Sequence, residues 1–239
     1  MSFIVILICL SAQWFLSLSS TPYQKEWATH YVSWMRKQFV KLFQGHGMFA
    51  VLTLVLPIVI VVSLLFTLIY HLLGHLGYLI ASLVLLWYCT DMAGLRKTAG
   101  ITGLSSSEVF IQSYQKLFAP LFWYFVFGPV GLTLYVAVCA LRSHSQDQKY
   151  FVLTQGVLDW VPVRLMGLSF ALAGNFAAVF KEWVKVLFQG ITDNQEWVVT
   201  WGNIALAAEK SESDAVALTH RVLLIWLVIM ALITIGSFY

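Results

Sequence analysis

The chain has 239 residues, of which 60% are hydrophobic and 10% are charged, and its formal net charge is +3. This apolar fraction exceeds what the core of a soluble protein of this length requires, so the composition excludes an ordinary soluble domain and indicates a membrane protein. The small net charge is spread along the chain. It argues against nucleic acid as a partner and fits basic residues beside anionic lipids.

Four apolar stretches are predicted to cross a lipid bilayer, namely residues 2–16, 49–70, 77–87 (extendable to 89) and 218–238. A hydrocarbon layer about 30 Å thick needs roughly 20 apolar residues in a helix, which residues 49–70 provide outright. The third stretch is shorter, and its helix is expected to begin within the turn at 71–76. No Lys or Arg precedes the first stretch, so it lacks the cationic start of a signal peptide and is expected to be an uncleaved span.

The distribution of Lys and Arg predicts one orientation in the bilayer. Within the four apolar stretches the only basic residue is Arg221, at the entry of the last one. The turn at 71–76 and both termini carry no Lys or Arg, whereas the larger loops carry the rest. Cytoplasmic loops of membrane proteins hold the excess of Lys and Arg. Both termini and the turn are therefore expected outside the cytoplasm, and the larger loops inside it.

The apolar stretch at 117–141 is predicted to fold back on itself. Gly128, Pro129 and Gly131 lie near its midpoint, where proline removes a helical hydrogen bond and glycine loosens the backbone. Two half-helices of about ten residues each fit a re-entrant hairpin, which is tolerated at membrane depth where protein buries its turn.

The alternative for this stretch is a full crossing. It would place Arg142 outside the cytoplasm and require residues 151–179 to return through the bilayer. That return would carry Asp159 and Arg164 into lipid, which is costly unless both line a cavity. The hairpin is therefore the favoured interpretation.

The segments between the spans are amphipathic. Residues 23–43 and 175–188 both place aromatic and aliphatic residues at helical spacing, with Lys and Arg mostly on the other face, as in helices that lie on the membrane surface. No internal repeat is present. The predicted fold is an all-α integral membrane protein, a single domain over residues 1–239, with about four transmembrane helices, a re-entrant helical hairpin and cytoplasmic amphipathic helices.

Chemical motifs are sparse. The sequence contains no phosphate-binding loop, nucleophile elbow or zinc-protease motif, and no cofactor or metal is predicted. His71 and His75 have a spacing that could hold a metal in a helix, but an interfacial role is favoured because no carboxylate is close in the sequence. Asp91 follows the third span and is expected to be a solvated or paired carboxylate. Its alternative interpretation is a ligand-binding group that faces a cavity.

Residues 156–165 hold the densest group of polar and special residues. Pro162 suits the first turn of a helix, with Asp159 and Trp160 just before it, where the helix dipole favours an anion. One interpretation is an amphipathic helix with an ion pair between Asp159 and Arg164. The other makes Arg164 an anion clamp in a pocket that the Gly128–Gly131 turn covers.

These segments together carry a family resemblance. Ala-Pro-Leu-Phe-Trp at 119–123, Gly-Pro-Val-Gly at 128–131 with Tyr135, and Asp-Trp-Val-Pro-Val-Arg-Leu at 159–165 resemble the AmpE proteins, in order, over residues 111 to 175. The resemblance implies a bacterial inner-membrane protein connected with β-lactamase induction. It also implies a distant relation to the CobD/CbiB cobinamide-phosphate synthases, which use ATP and a divalent metal.

The sequence departs from the synthases where they bind metal. In place of the synthase pattern before residue 119 stand Ile111, Gln112 and Gln115, and in place of its later acidic motif stand Cys139 and Arg142. Aliphatic side chains do not bind Mg²⁺, and a guanidinium repels it. Synthase activity is therefore not expected.

The resemblance and the departures together favour a non-enzymatic inner-membrane regulator of the β-lactam or cell-wall stress response. Its expected partners are the lipid bilayer, a small anionic ligand (a nucleotide or a cell-wall fragment) and a protein of the β-lactamase induction pathway. The alternative is a CobD/CbiB-like membrane enzyme, a ligase or transferase acting on a phosphate-bearing substrate. The candidate ligand-binding residues are Asp91, Gly128, Pro129, Gly131, Asp159, Trp160, Arg164 and Asn175.

Overall fold

The computed structural model describes residues 2–16, 26–38, 48–91, 105–142, 148–188, 190, 193–206 and 212–237. The helices of these residues are α1 (Ser2–Leu16), α2 (Glu26–Gln38), α3 (Met48–Cys89), α4 (Ser106–Ser113), α5 (Ala119–Arg142), α6 (Gln148–Ala173), α7 (Phe176–Val186), α8 (Asn194–Ala205) and α9 (Glu212–Gly236). A π-helical turn, Tyr114–Phe118, joins α4 to α5. The basic loop residues Lys25, Lys41, Arg96 and Lys97 lie outside the described residues.

The predicted all-α membrane class is confirmed for the part of the chain that the structure describes. Four helical segments there are long and apolar enough to cross a membrane: Val51–Cys89, Ser106–Arg142, Gln148–Ala173 and Ser213–Gly236. They differ in part from the four predicted spans. Two predicted spans fall within α3, Ser2–Phe15 is a shorter apolar helix, and α6 qualifies by length and composition although it was not predicted to cross.

Helix α3 is a hairpin whose turn lies at Gly74. This residue has φ 65° and ψ −157°, a backbone conformation that breaks the helix. The rings of Phe66 and Tyr78 meet at 5.6 Å between centroids. Twelve residues of uninterrupted helix would separate these positions by about 18 Å. The chain therefore reverses at Gly74, and the two arms of α3 correspond to the predicted spans 49–70 and 77–87.

Helix α5 reverses in the same way at Gly128, with φ 62° and ψ −148°. A Cβ atom on Gly131 would lie 2.5 Å from the carbonyl oxygen of Trp123. In a straight helix these residues would be about 12 Å apart. The predicted hairpin is thus present. Its first arm is longer than the expected half-helix, because the π turn extends it back to Ser106.

The two hairpins lie side by side with their tips at the same end of the bundle. A Cβ atom on Gly128 would lie 3.7 Å from the hydroxyl of Tyr78, four residues beyond the tip of α3. At the opposite end, the backbone N–H of Asp91 donates to the carbonyl of Lys116 at 3.3 Å. Gln13 of α1 donates to the carbonyl of Thr90 at 3.0 Å. We call this end, where α1, the second arm of α3 and the π turn meet, the base of the bundle.

Helix α6 crosses the base and joins the hairpins to the remaining helices. Its contacts in order are Gln155 with Arg142, Asp159 with Tyr114, and Phe170 with Phe110. Asp159 is 2% exposed and Arg164 is 4% exposed, so both charged residues face protein and neither faces lipid. The cost of placing Asp159 and Arg164 in lipid, which argued against a crossing by this segment, therefore does not arise.

Helices α7 and α8 pack against α6 to form a layer. The indole N–H of Trp183 on α7 donates to the carbonyl of Arg164 at 2.8 Å. A Cβ atom on Gly167 would lie 2.5 Å from the ring of Trp201 on α8, so the lack of a side chain there permits this close packing. As predicted, α7 is amphipathic, with Val179 and Val186 buried and with Lys181 and Lys185 exposed.

The prediction that Pro162 begins a helix is wrong. Pro162 lies inside α6, whose first residue is Gln148, and Asp159 therefore does not lie near the start of a helix. Proline lacks the N–H that would bond one turn back, and this loss weakens a helix that stands alone. Here Asp159 packs against the π turn and Arg164 against α8, so tertiary contacts hold α6 together on both sides of the proline.

Candidate functional site

The π turn at the base places several polar side chains. A π turn holds more residues per turn than an α-helix, and such turns are frequent at functional sites. Tyr114, its first residue, donates from its hydroxyl to Oδ1 of Asp159 at 2.6 Å. Gln115 and Lys116 follow and line a cavity. The π turn thus directs the hydroxyl of Tyr114 to Asp159. It also places the amide of Gln115 and the ammonium group of Lys116 in the lining of the cavity.

The buried carboxylate of Asp159 depends on its hydrogen bonds. Removing a carboxylate from water is unfavourable unless nearby donors replace the lost water contacts. The Tyr114 hydroxyl is one such donor, and it is fully buried with the carboxylate. The carboxylate of Asp159 therefore lies between α6 and the π turn, where the hydroxyl of Tyr114 replaces part of its lost hydration.

A cavity of about 520 Å³ opens at the base between the π turn, the second arm of α5 and the start of α6. Its lining contains two cations, and each is bonded to a neutral amide. Lys116 Nζ donates to Oε1 of Gln112 at 3.2 Å, and Arg142 Nη1 donates to Oε1 of Gln155 at 3.0 Å. Charged donors form their strongest hydrogen bonds with anions. We call this space the cationic cavity.

Tyr135 adds a buried hydroxyl to the cationic cavity. The residue is 1% exposed, and its side chain interacts with those of Asp159, Tyr114 and Cys139. Tyr135 therefore connects the cationic cavity to the buried carboxylate of Asp159.

A smaller cavity of about 170 Å³ adjoins the cationic cavity and shares Arg142, Val152 and Gln155 with it. Its lining also contains three acidic side chains, those of Asp159, Asp193 and Glu196. Asp193 and Glu196 are exposed at the start of α8, whereas Asp159 is buried. We call this space the acidic cavity.

Arg164 lies on the other side of α6 and is held by α8. It donates from Nη1 to Oδ1 of Asn194 and from Nη2 to the carbonyl of Gly190 at 3.3 Å. Its guanidinium also lies 5.0 Å from the ring centroid of Trp160. Asn194 in turn donates to the carbonyl of Gly156 at 2.8 Å. These bonds fasten the start of α8 to α6.

The expected ion pair between Asp159 and Arg164 is not formed. Five residues along an α-helix rotate a side chain by about 500°, which leaves the two positions roughly 140° apart around the axis. Asp159 accordingly faces Tyr114 on the π turn, and Arg164 faces Asn194 on α8.

The other predicted site residues belong to different elements. Gly128, Pro129 and Gly131 lie at the hairpin tip, about 20 Å along the second arm from Arg142. Their predicted role as the cover of a pocket at Arg164 stays a prediction. Asn175 caps α7 by accepting a hydrogen bond from the N–H of Ala178 at 3.3 Å. Asp91 contacts the carbonyl of Lys116 through its backbone N–H.

Of the charged residues that line the two cavities, the sequence singled out Asp159 alone as a candidate site residue. Arg142 was discussed as a departure from the synthases and as the end of the hairpin, and Lys116, Tyr114 and Gln155 were not singled out. One signal was available, because Lys116 and Arg142 stand 12 and 14 residues on either side of Gly128. A hairpin that reverses at Gly128 brings such positions to the same end, where both now line one cavity.

The part of the chain that matches a known family includes residues that line both cavities. A family model described as "Regulatory signalling modulator protein AmpE" matches residues 97–238. The chain belongs to the AmpE family. The matched segment includes Lys116, Tyr135, Arg142 and Asp159. The AmpE resemblance read from the sequence is confirmed, whereas the relation to the synthases stays a prediction.

One curated AmpE relative illustrates the extent of the similarity. "Protein AmpE" of Shigella flexneri is 29% identical over 140 residues, which are 52% of this chain and 49% of that protein. The chain thus spans about half the length of this relative. No solved structure matches the chain.

Metal-ligating side chains are not clustered in the described residues. Among them, no group of three or more His, Cys, Asp or Glu side chains could hold a metal ion. His75 instead packs its ring on Tyr70, with Nε2 3.4 Å from the tyrosine hydroxyl. The expectations that the protein uses no metal and has no synthase activity remain predictions.

Proposed function

We propose that this AmpE-family protein is a membrane regulator whose cationic cavity binds a small anionic ligand. The observation that carries the proposal is the pairing of Lys116 and Arg142 in one cavity, each bonded to a neutral amide. An anion between them would gain two charge-assisted hydrogen bonds, and the hydroxyl of Tyr135 offers a third donor. Both predicted ligand classes, nucleotides and cell-wall fragments, carry anionic groups that suit these donors.

Helix α6 is the element that would report the ligand. Gln155 of α6 is bonded to Arg142, so a ligand that engages Arg142 competes with Gln155. The same helix is fastened to α8 through Asn194 and to α7 through Trp183. Binding at the cavity would therefore change the position of α6 relative to the π turn, and α7 and α8 would follow. This contact chain is the physical basis for the proposed coupling.

The proposed output is a contact with a protein of the β-lactamase induction pathway, made from the layer of α6, α7 and α8. Exposed Lys181 and Lys185 on α7 give that layer polar positions for such a contact. The regulatory role follows from membership of the AmpE family. The response to β-lactams or cell-wall damage, the inner membrane and the partner itself are parts of the proposal.

The first prediction tests the cationic cavity in cells. In a bacterium with an inducible β-lactamase and no AmpE of its own, this protein should restore the regulated response, and Lys116→Gln and Arg142→Gln should each reduce it. A hydrogen bond to a charged group contributes about 1.5–3 kcal/mol, so each change should weaken ligand affinity by roughly ten-fold or more. The measurement is β-lactamase activity across a range of inducer concentrations, with the amount of membrane-inserted protein quantified alongside.

Lys149→Gln is the matched control. Lys149 is an exposed cation at the start of α6, and it lines neither cavity. Its loss should leave the dose-response curve unchanged. A normal curve for both Lys116→Gln and Arg142→Gln, at normal protein levels, would contradict the proposal.

A further inference from the structure

The two cavities at the base have opposite charge and a common wall. Lys116 and Arg142 line the larger cavity, whereas Asp159, Asp193 and Glu196 line the smaller one. We infer that the ligand is a zwitterion, an amino acid or short peptide, with its anionic group in the cationic cavity and its ammonium group in the acidic cavity. This inference rests on the proposed function and names the chemical class of its ligand.

The ligand's anionic group would be held by two cationic side chains. Among the described residues that line the cationic cavity there is no Asp or Glu. Lys116 and Arg142 supply the positive charge, and Tyr135 adds a buried hydroxyl on the side of Asp159. A volume of about 520 Å³ lies within the range of ordinary small-molecule sites, roughly 300–1,000 Å³. A carboxylate or phosphate group with a side chain attached would fit this space.

The cationic end is defined by acceptors. Asp159 is almost fully buried, while Asp193 and Glu196 stand exposed at the mouth of the acidic cavity. Acidic residues at the start of a helix also interact favourably with its dipole, so the positions of Asp193, just before α8, and Glu196, in its first turn, do not by themselves indicate a ligand. The buried carboxylate of Asp159 beside them is what gives the cavity an anionic floor.

The closeness of the two cavities decides between a simple anion and a zwitterion. Arg142, Val152 and Gln155 belong to both linings, so an anion in the larger cavity lies near the carboxylates of the smaller one. Like charges repel, so these carboxylates disfavour an anion that carries no positive group. A positive group on the same ligand converts this repulsion into attraction. A zwitterion therefore matches both cavities at once.

The second prediction is tested by binding of three probes to the purified full-length protein in detergent, measured by isothermal titration calorimetry. The probes are L-alanyl-L-alanine, its N-acetyl derivative and its C-terminal amide. The free dipeptide should bind, and blocking either end should weaken binding by at least about ten-fold, the change expected for the loss of one charged contact. Replacing Asp193 and Glu196 together by Asn and Gln should weaken binding of the free dipeptide, whereas binding of the N-acetyl form should strengthen because the repulsion by the two carboxylates is removed.

Glu182→Gln is the control, because Glu182 is an acid on α7 that pairs with Lys185 and lines neither cavity. If the free and N-acetylated dipeptides bind equally well, and Arg142→Gln abolishes the binding of both, the inference that the ligand is a zwitterion would be overturned. The proposal that the cationic cavity binds an anion would then be supported. Binding that Arg142→Gln does not change would overturn both proposals. Failure of all three probes to bind, while the cellular response still depends on Arg142, would overturn only the amino-acid and peptide class.

Discussion

A buried guanidinium is stable where acceptors surround it, and Arg164 shows how this chain provides them. Its donors reach the side chain of Asn194 and the carbonyl of Gly190, and its face lies against Trp160. Each of these contacts belongs to the connection between α6 and the start of α8. The contacts therefore assign Arg164 a structural role, and its predicted role in ligand binding stays a prediction.

The third prediction follows from this arrangement. Arg164→Ala should lower the free energy of unfolding by about 1–3 kcal/mol, because it removes the hydrogen bond that the guanidinium donates to the buried Oδ1 of Asn194. Asn194→Ala should have a similar effect, and the double variant should cost less than the two single changes together, since both remove the same contact. Thermal unfolding in detergent, followed by circular dichroism, measures all three.

Lys181→Ala provides the comparison for Arg164, because Lys181 is an exposed cation on α7. It should melt at the temperature of the parent protein. An unchanged melting temperature for Arg164→Ala together with a lost cellular response would instead support the ligand-binding role.

The partners of the buried charges could not be read from the sequence. Asp159 and Arg164 stood out as charged residues in an apolar segment, and the prediction that they matter rested on that contrast. Tyr114 and Asn194 lie 45 and 30 residues away from them. Such contacts depend on the packing of α6 against two other elements and leave no local spacing pattern.

At the scale of helices, the two hairpins turn through the same backbone conformation. Gly74 and Gly128 adopt nearly the same conformation, with φ of 65° and 62° and ψ of −157° and −148°. Residues with a side chain rarely adopt this region. The sequence predicted the first reversal from two apolar stretches joined by the turn at 71–76, and the second from Gly128, Pro129 and Gly131 near the midpoint of residues 117–141.

The fourth prediction concerns these glycines. Gly74→Ala and Gly128→Ala should each lower the free energy of unfolding by about 1–3 kcal/mol, through backbone strain. Steric overlap does not contribute, because a Cβ atom would meet nothing within 4 Å at Gly74 and only the Tyr78 hydroxyl at 3.7 Å at Gly128. Thermal unfolding of the two variants in detergent is the measurement.

Gly236→Ala is the matched change for the hairpin glycines, since Gly236 also has open space around it and does not have a positive φ. It should be neutral or slightly stabilising, because alanine favours a helix by up to about 1 kcal/mol over glycine. Equal stability of Gly128→Ala and Gly236→Ala would show that the turn does not need glycine.

Neither the π turn nor the continuation of α6 through Pro162 could be predicted from the sequence, and the reason is physical. Residues 114–118 have no composition that distinguishes a π turn from an α-helix, and tertiary contacts decide between the two. Pro162 carries a strong local signal for a helix start, and the contacts of Asp159 and Arg164 override it. Local signals were reliable at Gly74 and Gly128, where the backbone itself demands glycine.

At the scale of the whole molecule, the base and the tips are chemically different ends. The base holds Lys116, Arg142 and Lys149, whereas His71 and His75 lie next to the tip of α3. Because cytoplasmic ends of membrane proteins hold the excess of basic residues, the base is expected to face the cytoplasm.

The fifth prediction tests this orientation with single cysteines in a background in which Cys9, Cys89 and Cys139 are replaced by alanine. A membrane-impermeant thiol reagent added to intact cells should label His75→Cys and spare Lys149→Cys, since both positions are exposed and lie at opposite ends. Permeabilised cells should show labelling of both. Labelling of Lys149→Cys alone in intact cells would reverse the orientation, and labelling of both would contradict the hairpin and favour the full crossing of residues 117–141.

The contacts at the tip of α3 bear on the order in which the protein assembles. Phe66, Tyr70, His75 and Tyr78 meet one another within a single helical hairpin. Only 17% of the most apolar window of α3 is buried inside the protein, so lipid can cover most of its surface from the beginning. These contacts require no residue beyond Cys89, so the hairpin can form before the second hairpin is synthesised. The later hairpin of α5 then enters a bilayer that already contains a surface to dock against.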